Sequence, residues 1–230
     1  MIGIIGAMDE EIAEILDACE VKEVLEKASM KFNVGSLDGR DIVIVRSGIG
    51  KVNAAVCTQI LADTFGVDTI INTGIAGSLD ASIDIADIVL SSDVLHHDMD
   101  ATGFGYELGQ IPRMEVKAFE ADKKLVDTAT VCAAKVIPDT EVHTGRVVSG
   151  DQFISDSEKK DFIVKNFGGL CTEMEGAAIG QAAYLNKIPF IVIRAISDKA
   201  DNSATMDYSE FEKLAIAKLV GLVKEIVKTL

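Results

Sequence analysis

Residues 50–78 read GKVNAAVCTQILADTFGVDTIINTGIAGS, and the fold follows from what alternates there. Gly50 to Phe65 has the pattern of a helix, Thr69–Asn72 that of a short buried strand, and TGIAGS at 73–78 that of a Gly-rich turn. Helix, apolar strand and turn in immediate succession are the repeating parts of a parallel α/β sheet. The same alternation continues outward. Upstream, Met1–Ile5 is a strand closed by Gly6, followed by a helix over 9–19 with Ile12, Ile15 and Leu16 on one face and Asp9 placed to cap it. Lys31–Leu37 and Arg40–Arg46 flank Asp38-Gly39, a dipeptide suited to a two-residue hairpin turn. Downstream, strands are expected at 87–95, 142–148 and 188–196, and helices at 119–135, 157–166 and 174–186. A last helix over about 207–229 carries Phe211, Leu214, Ala215, Leu219, Leu222, Val223 and Ile226 on one stripe. The expectation is a single α/β domain, 1–230, with a central mixed, mostly parallel twisted β-sheet flanked by helices. Residues 97–118 show no period, and a loop that long inside a compact domain usually serves function.

Composition narrows the function classes. The 230 residues carry 22 Lys+Arg against 37 Asp+Glu, a formal charge of −15. That balance argues against nucleic acid, which needs clustered cations, and against an anionic membrane surface. The four cysteines show no Cys-x-x-Cys or Cys/His ligand spacing, so no metal is expected and the thiols read as buried in a reducing compartment. No uncharged run reaches the roughly 18 residues of a membrane span, and MIGIIGAMDEE lacks the basic flank of a signal peptide. A cytoplasmic protein is expected.

Two nucleotide motifs fail. Gly50-Lys51 would close a phosphate loop only with Gly at 45 and Ser or Thr at 52, and both positions are Val. A dinucleotide fingerprint fails because Asn53 stands where its third Gly belongs. Glycines 48, 50, 74 and 77 still imply tight strand-to-helix turns, at the strand ends where open α/β sheets bind ligands. Those ends are acidic. Asp9, Glu10 and Glu11 follow the first strand, Glu173-Met174-Glu175 opens a small-residue helix, and strand 188–196 delivers Arg194, Ser197 and Asp198. Singly, Glu11 and Glu175 also read as acids complementing a helix dipole and Asp198 as a turn cap. Three acids at one sheet edge point to a site.

The ordered set GIIGAMDEEI (3–12), SGIGKVNAA (47–55), INTGIAGSL (71–79), FGYELGQIP (104–112), VSGDQFI (148–154), TEMEGAAI (172–179) and VIRAISDKAD (192–201) resembles the 5′-methylthioadenosine/S-adenosylhomocysteine nucleosidases of the nucleoside phosphorylase superfamily. The likeness spans essentially the whole chain. It implies hydrolysis of an adenine–ribose N-glycosidic bond without a cofactor, on a small nucleoside and water. By that resemblance Asp198 protonates the purine, Glu11 activates water, Glu175 holds the ribose hydroxyls, Arg194 orients Glu11 and the water, and Ser197 supports Asp198. Phe153 would stack on adenine, with the Ile154 backbone at its edge. Met8, Ile49, Ile75, Met174, Phe104, Tyr106, Pro112 and Tyr208 would shape the ribose and 5′-substituent pockets. Core packing is the other reading of Phe153 and the methionines, and His96 and His97 read as loop anchors. A homodimer burying the 97–118 region is implied as well.

Alternatives of other classes are a purine nucleoside phosphorylase, an aminodeoxyfutalosine nucleosidase and a non-catalytic nucleoside-binding protein. A phosphorylase needs cations for its phosphate. Here the first turn holds Asp9, Glu10 and Glu11, and Asn72 stands where hexameric phosphorylases place an Arg. Like charges about 4 Å apart cost about 1 kcal/mol per pair even in water. Ile75 and Tyr208 depart from the residues common in the family, Ser and Phe. Water is therefore the expected nucleophile.

Overall fold

In the computed structural model the apolar runs assemble into one sheet of ten strands wrapped by six α-helices, counted among the described residues. The structure describes residues 1–202 and 204–230, with the side chains of 205–210 outside the description. The first half of the chain forms β1 (Ile2–Gly6), α1 (Asp9–Asp17), β2 (Glu20–Lys27), β3 (Met30–Leu37), β4 (Arg40–Arg46), α2 (Lys51–Ile60) and β5 (Thr69–Ser78). The second half forms β6 (Ile88–His96), β7 (Phe119–Glu120), α3 (Lys123–Val136), β8 (Val142–Ser149), α4 (Ser157–Phe167), β9 (Cys171–Glu173), α5 (Gly176–Asn186), β10 (Phe190–Asp198) and α6 (Ala204–Thr229).

β4, β1, β5 and β10 lie side by side and run parallel, so their carboxyl ends share one edge. The sheet then curls. β10 pairs antiparallel with β6, β6 runs parallel to β8, β8 to β9, and β9 returns to β5 at Gly77 and Ser78. This closed ring brings the ends of β5, β9 and β10 around one point. At the far side, the antiparallel hairpins β2–β3 and β3–β4 extend the sheet.

Both faces of the central strands are apolar, as parallel strands require. Ile4 of β1, Ile71 of β5 and Ile191 and Ile193 of β10 pack with Ile12, Ile15, Leu219, Val223 and Ile226 from α1 and α6. Their neighbours Ile5, Ile70, Val192 and Ile196 face the other way, onto Ala54, Cys57, Ala178 and Ile179 of α2 and α5. The period-2 alternation thus feeds two helical layers. The stripe on α6 is buried from Ala215 onward, while Phe211 is half-buried and Leu214 is 51% exposed. No helix among the described residues is long and apolar enough to cross a membrane, and the four cysteines are unbonded.

Four expectations change. Residues 73–78 are not a turn: β5 runs through them, paired with β10 as far as Gly77. The edge strand β2 escapes sequence reading because EVKEVLEK is almost wholly exposed and shows no clean alternation. Asp9 does not cap α1; Met8 is its N-cap, and Asp9 lies within the helix and pairs with Arg46 at 3.1 Å. The helix expected from 119 starts at Lys123, because the buried Phe119 pairs with Val94 of β6 and Asp122 takes the cap, accepting the Leu125 N–H at 3.0 Å.

Ile71, in the first half of β5, has no exposed surface. Ile71→Ala is expected to destabilise the fold by about 3 kcal/mol, the usual cost of a large-to-small change in a packed core. Urea unfolding measures it, and a loss below about 1 kcal/mol would show that the parallel centre is not the stabilising core.

Candidate active site

Glu11 stands one turn into α1, just past the end of β1, and its side chain folds back across the sheet edge. One carboxylate oxygen accepts the N–H groups of Ala7 and Met8 at 2.6 and 3.0 Å, and the other accepts the Ile75 N–H of β5 at 3.1 Å. The carboxylate therefore ties β1 to β5. Gly74 makes room for it, since a Cβ there would lie 2.5 Å from Glu11 Oε1 and 2.9 Å from Arg194 Nη1. Burial pushes the Glu11 carboxyl above its ordinary range, and the opposing pull of Arg194 and the three N–H donors does not cancel that rise.

Arg194, on β10, is 2% exposed. Its Nη2 bonds the Glu173 carboxylate and donates to Asn72 Oδ1 at 2.6 Å, while Asn72 Nδ2 donates to the Ile5 carbonyl at 3.0 Å. Glu173 also accepts the Ser149 hydroxyl and, at the start of α5, the N–H groups of Glu175 and Gly176 at 3.1 and 2.7 Å. Burial works against the Glu173 charge, but Arg194 and these donors outweigh it and hold the carboxyl below the usual range. Glu175 accepts the Gly50 N–H at 2.8 Å. Its burial, with the negative Glu173 close by, pushes its pKa up to about 8. Burial alone would weaken the Arg194 charge, yet Glu173, Glu11 and Glu175 together raise its pKa.

Asp198 ends β10. Its carboxylate accepts the Ser197 hydroxyl at 2.9 Å and the Ala200 N–H at 2.8 Å, and both Ser197 and Asp198 are buried. Gly77 on β5 is the close approach here, since a Cβ would come 2.7 Å from Asp198 Oδ1. The glycines of 73–78 thus serve the carboxylates rather than a turn.

These groups line a cavity of about 450 Å³. Glu11, Glu173, Glu175 and Asp198 reach it among Ala7, Met8, Ile49, Ile75, Ala76, Gly77, Phe153, Thr172, Met174 and Ser197. Among the described residues no Lys, Arg or His lines it; Arg194 stands behind the carboxylates. Of the residues singled out from sequence, Glu11, Glu175, Asp198, Ser197, Met8, Ile49, Ile75, Phe153 and Met174 meet there. Phe104, Tyr106 and Pro112 do not: all three lie on the 97–118 loop away from the cavity, with Phe104 87% exposed. The Ile154 side chain is core, packed with Leu79, Leu95 and Val148. The Tyr208 side chain lies outside the described residues. Arg194 makes its hydrogen bonds to Glu173, Asn72 and the Ile193 carbonyl, not to Glu11. The first-turn trio also separates, because Asp9 and Glu10 point to solvent and Glu11 alone enters. His96 and His97 are buried anchors: His96 Nε2 lies 3.0 Å from Gln181 Oε1, and the His97 N–H donates to the Ser149 carbonyl at 2.9 Å.

Sequence reasoning left Glu173, Ser149 and Asn72 without roles. The available signal was Arg194 itself, since an Arg inside an otherwise apolar strand demands a buried counter-charge. Elsewhere, Asp87, Glu141 and His143 bring ligand-type atoms within 4.8 Å of one another. None of them lines the cavity.

A sequence profile described as the phosphorylase superfamily matches residues 1–228. Across 233 aligned residues and the full length of both chains, 44% are identical to a 5′-methylthioadenosine/S-adenosylhomocysteine nucleosidase of Staphylococcus carnosus (strain TM300). The chain belongs to that nucleosidase family. The fold agrees: a Neisseria meningitidis member, solved in complex with methylthio-immucillin-A, superposes with a TM-score of 0.96 at 39% identity, covering 100% of this chain and 99% of that one. A futalosine hydrolase of Helicobacter pylori superposes with a TM-score of 0.94 at 32% identity, covering 100% and 97%.

Two measurements follow from the geometry. Glu173→Ala leaves Arg194 buried without its direct counter-ion and is expected to cost about 3–5 kcal/mol in urea unfolding; a change under about 1 kcal/mol would mean that the pair does not organise the site. Glu175 has a native pKa near 8 against an ordinary 4.5, so the native state holds its proton more tightly than the unfolded chain. That stabilisation is full below the ordinary value and is lost as pH rises toward 8. The melting temperature of the native protein should therefore fall relative to that of Glu175→Gln across this window, and a constant gap would contradict it.

Proposed function

We propose that the cavity cleaves the bond between adenine and ribose in 5′-methylthioadenosine and S-adenosylhomocysteine, with water as the nucleophile. The supporting observation is the convergence of four carboxylates on an apolar cavity that no Lys, Arg or His among the described residues lines. N-glycoside cleavage passes through a ribosyl cation with a departing purine, and such a state is stabilised by nearby negative charge. Water attacks the anomeric carbon as the carbon–nitrogen bond breaks. Glu11 takes a proton from that water; burial raises its pKa and so makes it a stronger base than an exposed carboxylate. Asp198, held by Ser197 and the Ala200 N–H, gives a proton to the purine five-membered ring, so free adenine and free sugar leave. Glu175 accepts from the ribose hydroxyls, and positive charge developing on the sugar favours its ionised form. Arg194 acts on Glu11 through charge, from a position fixed by Glu173 and Asn72.

Phe153 covers adenine with the Ile154 backbone at the purine edge, and Met8, Ile49, Ile75 and Met174 contact the ribose and thioether. 5′-Deoxyadenosine is a further substrate on this reading. The structural likeness to a futalosine hydrolase favours one second reading, that a 6-amino-6-deoxyfutalosine-type nucleoside is also cleaved by the same four carboxylates.

The whole chain acts as one domain, and the protein is a cytoplasmic homodimer. The support for dimerisation is apolar surface: Val52 and Val56 on α2, Tyr184 and Leu185 on the adjoining α5, and Phe104 on the loop are all exposed. A partner's loop would then bring Phe104, Tyr106 and Pro112 to a cavity that their own chain does not let them line. Light scattering at micromolar concentration should give twice the 24.5 kDa chain mass; a monomer would contradict this.

The activity is tested by incubating the protein with methylthioadenosine in phosphate-free buffer and following free adenine. Native protein should release it. Glu11→Gln and Asp198→Asn should each lower kcat by about 10²–10⁴ while retaining nucleoside binding. Near-native turnover by either variant would assign its role elsewhere, and tight binding without release by the native protein would make this a binder.

A further inference from the structure

The N-terminus of α2 is held in an unusual way. Gly50, its N-cap, has φ +97°, and no side-chain oxygen of its own is available to cap the helix. Carboxylates from two other parts of the chain do that work. The Gly50 N–H goes to Glu175 at 2.8 Å, and the next N–H, of Lys51, goes to Asp151 Oδ1 at 2.8 Å. Asp98 closes a circuit around them. One of its oxygens accepts the Asp151 N–H at 3.0 Å, and the other pairs with Lys51 Nζ at 2.5 Å. The Lys51 and Asp98 side chains are only 20% and 16% exposed, so solvent screens this pair less than a surface pair. None of the three circuit residues lines the cavity. The segments they join do border it: 48–51 carries Ile49, and 150–153 carries Phe153.

We infer that Lys51, Asp98 and Asp151 form a positioning circuit for nucleoside recognition, holding the Gly50 N–H against Glu175 so that the Glu175 carboxylate is presented to the ribose. The inference rests on the reading of Glu175 as the ribose-binding group. An N–H donor fixed on one oxygen leaves the other directed into the cavity, and that orientation is made before substrate arrives. Without the Lys51–Asp98 link, α2 retains its helical bonds and the residue-51 N–H to Asp151, but the side-chain tie that holds Asp98, and through it Asp151, against the first turn is lost. The circuit touches neither purine nor reacting atoms. It therefore acts on binding of the sugar, with little effect on adenine alone or on the chemical step.

The test compares Lys51→Met, Asp98→Asn and the conservative Lys51→Arg with the native protein. Three quantities are read: KM and kcat for methylthioadenosine, and the inhibition constant of free adenine. Lys51→Met and Asp98→Asn should raise KM by about tenfold, the equivalent of one lost hydrogen bond to a charged group. They should keep kcat within about threefold and adenine inhibition within about twofold, and Lys51→Arg should restore KM to near the native value. Unchanged KM in both variants overturns the inference. So does a parallel loss of adenine affinity, which would mark a general disturbance of the fold. If native protein binds methylthioadenosine without releasing adenine, the hydrolase reading fails separately, and nucleoside dissociation constants of the same variants then decide the circuit.

Discussion

A guanidinium buried among three carboxylates organises this protein. Arg194 is nearly inaccessible to water, and an isolated charge in that position would be prohibitive. Glu173 neutralises it directly, Asn72 fixes its second donor, and Glu11 and Glu175 stand close enough to feel its field. The arrangement places the acids in different states. Glu173 is the committed anion, while burial pushes both Glu11 and Glu175 toward protonation, Glu175 to a pKa of about 8. On the proposed reaction, taking a proton from water and meeting a transient sugar cation call for that division. The site also needs its permanent cation withdrawn from the substrate, as Arg194 is.

The sheet exists in the form that this ion pair requires. Arg194, Ser197 and Asp198 come from β10, Glu173 from β9, and Asn72 and the Ile75 N–H from β5. They converge only because β9 turns back onto β5 and closes the ring. Parallel pairing puts the ends of β1, β5 and β10 on one edge, and apolar packing on both faces fixes their register. Gly74 and Gly77 then remove the two Cβ atoms that would otherwise occupy the space of the Glu11 and Asp198 carboxylates. Backbone topology, side-chain absence and buried charge are one constraint seen at three scales.

Much of this was legible in residue order. The helix, strand and glycines of 50–78 announced a parallel α/β core, and the acids at strand ends marked the site edge. The structure brings Glu11, Glu175, Ser197 and Asp198 to one cavity. What stayed hidden has physical reasons. TGIAGS looked like a turn because glycine content reports both turns and close approach, and only the tertiary contacts distinguish them. The exposed β2 lacks the apolar alternation that betrays a half-buried strand. Glu173 was in plain view, but its role depends on facing Arg194 across 21 residues and two strands. Phe104, Tyr106 and Pro112 read as pocket residues from their motif, whereas their position in the single chain is peripheral. Glu11, Glu175 and Asp198 stand at the cavity, whereas the hydrogen bonds of Arg194 to Glu173 and Asn72 are written in no motif.

The central claim is that the cavity admits water and not phosphate, because the Arg194 guanidinium behind it is bound to Glu173 and Asn72 and four carboxylates line it. Phosphorus NMR of a complete turnover of methylthioadenosine in excess inorganic phosphate tests it most directly. The account predicts that all phosphorus remains inorganic phosphate while adenine and free sugar accumulate in equal amounts. A sugar 1-phosphate signal growing in step with adenine would contradict it.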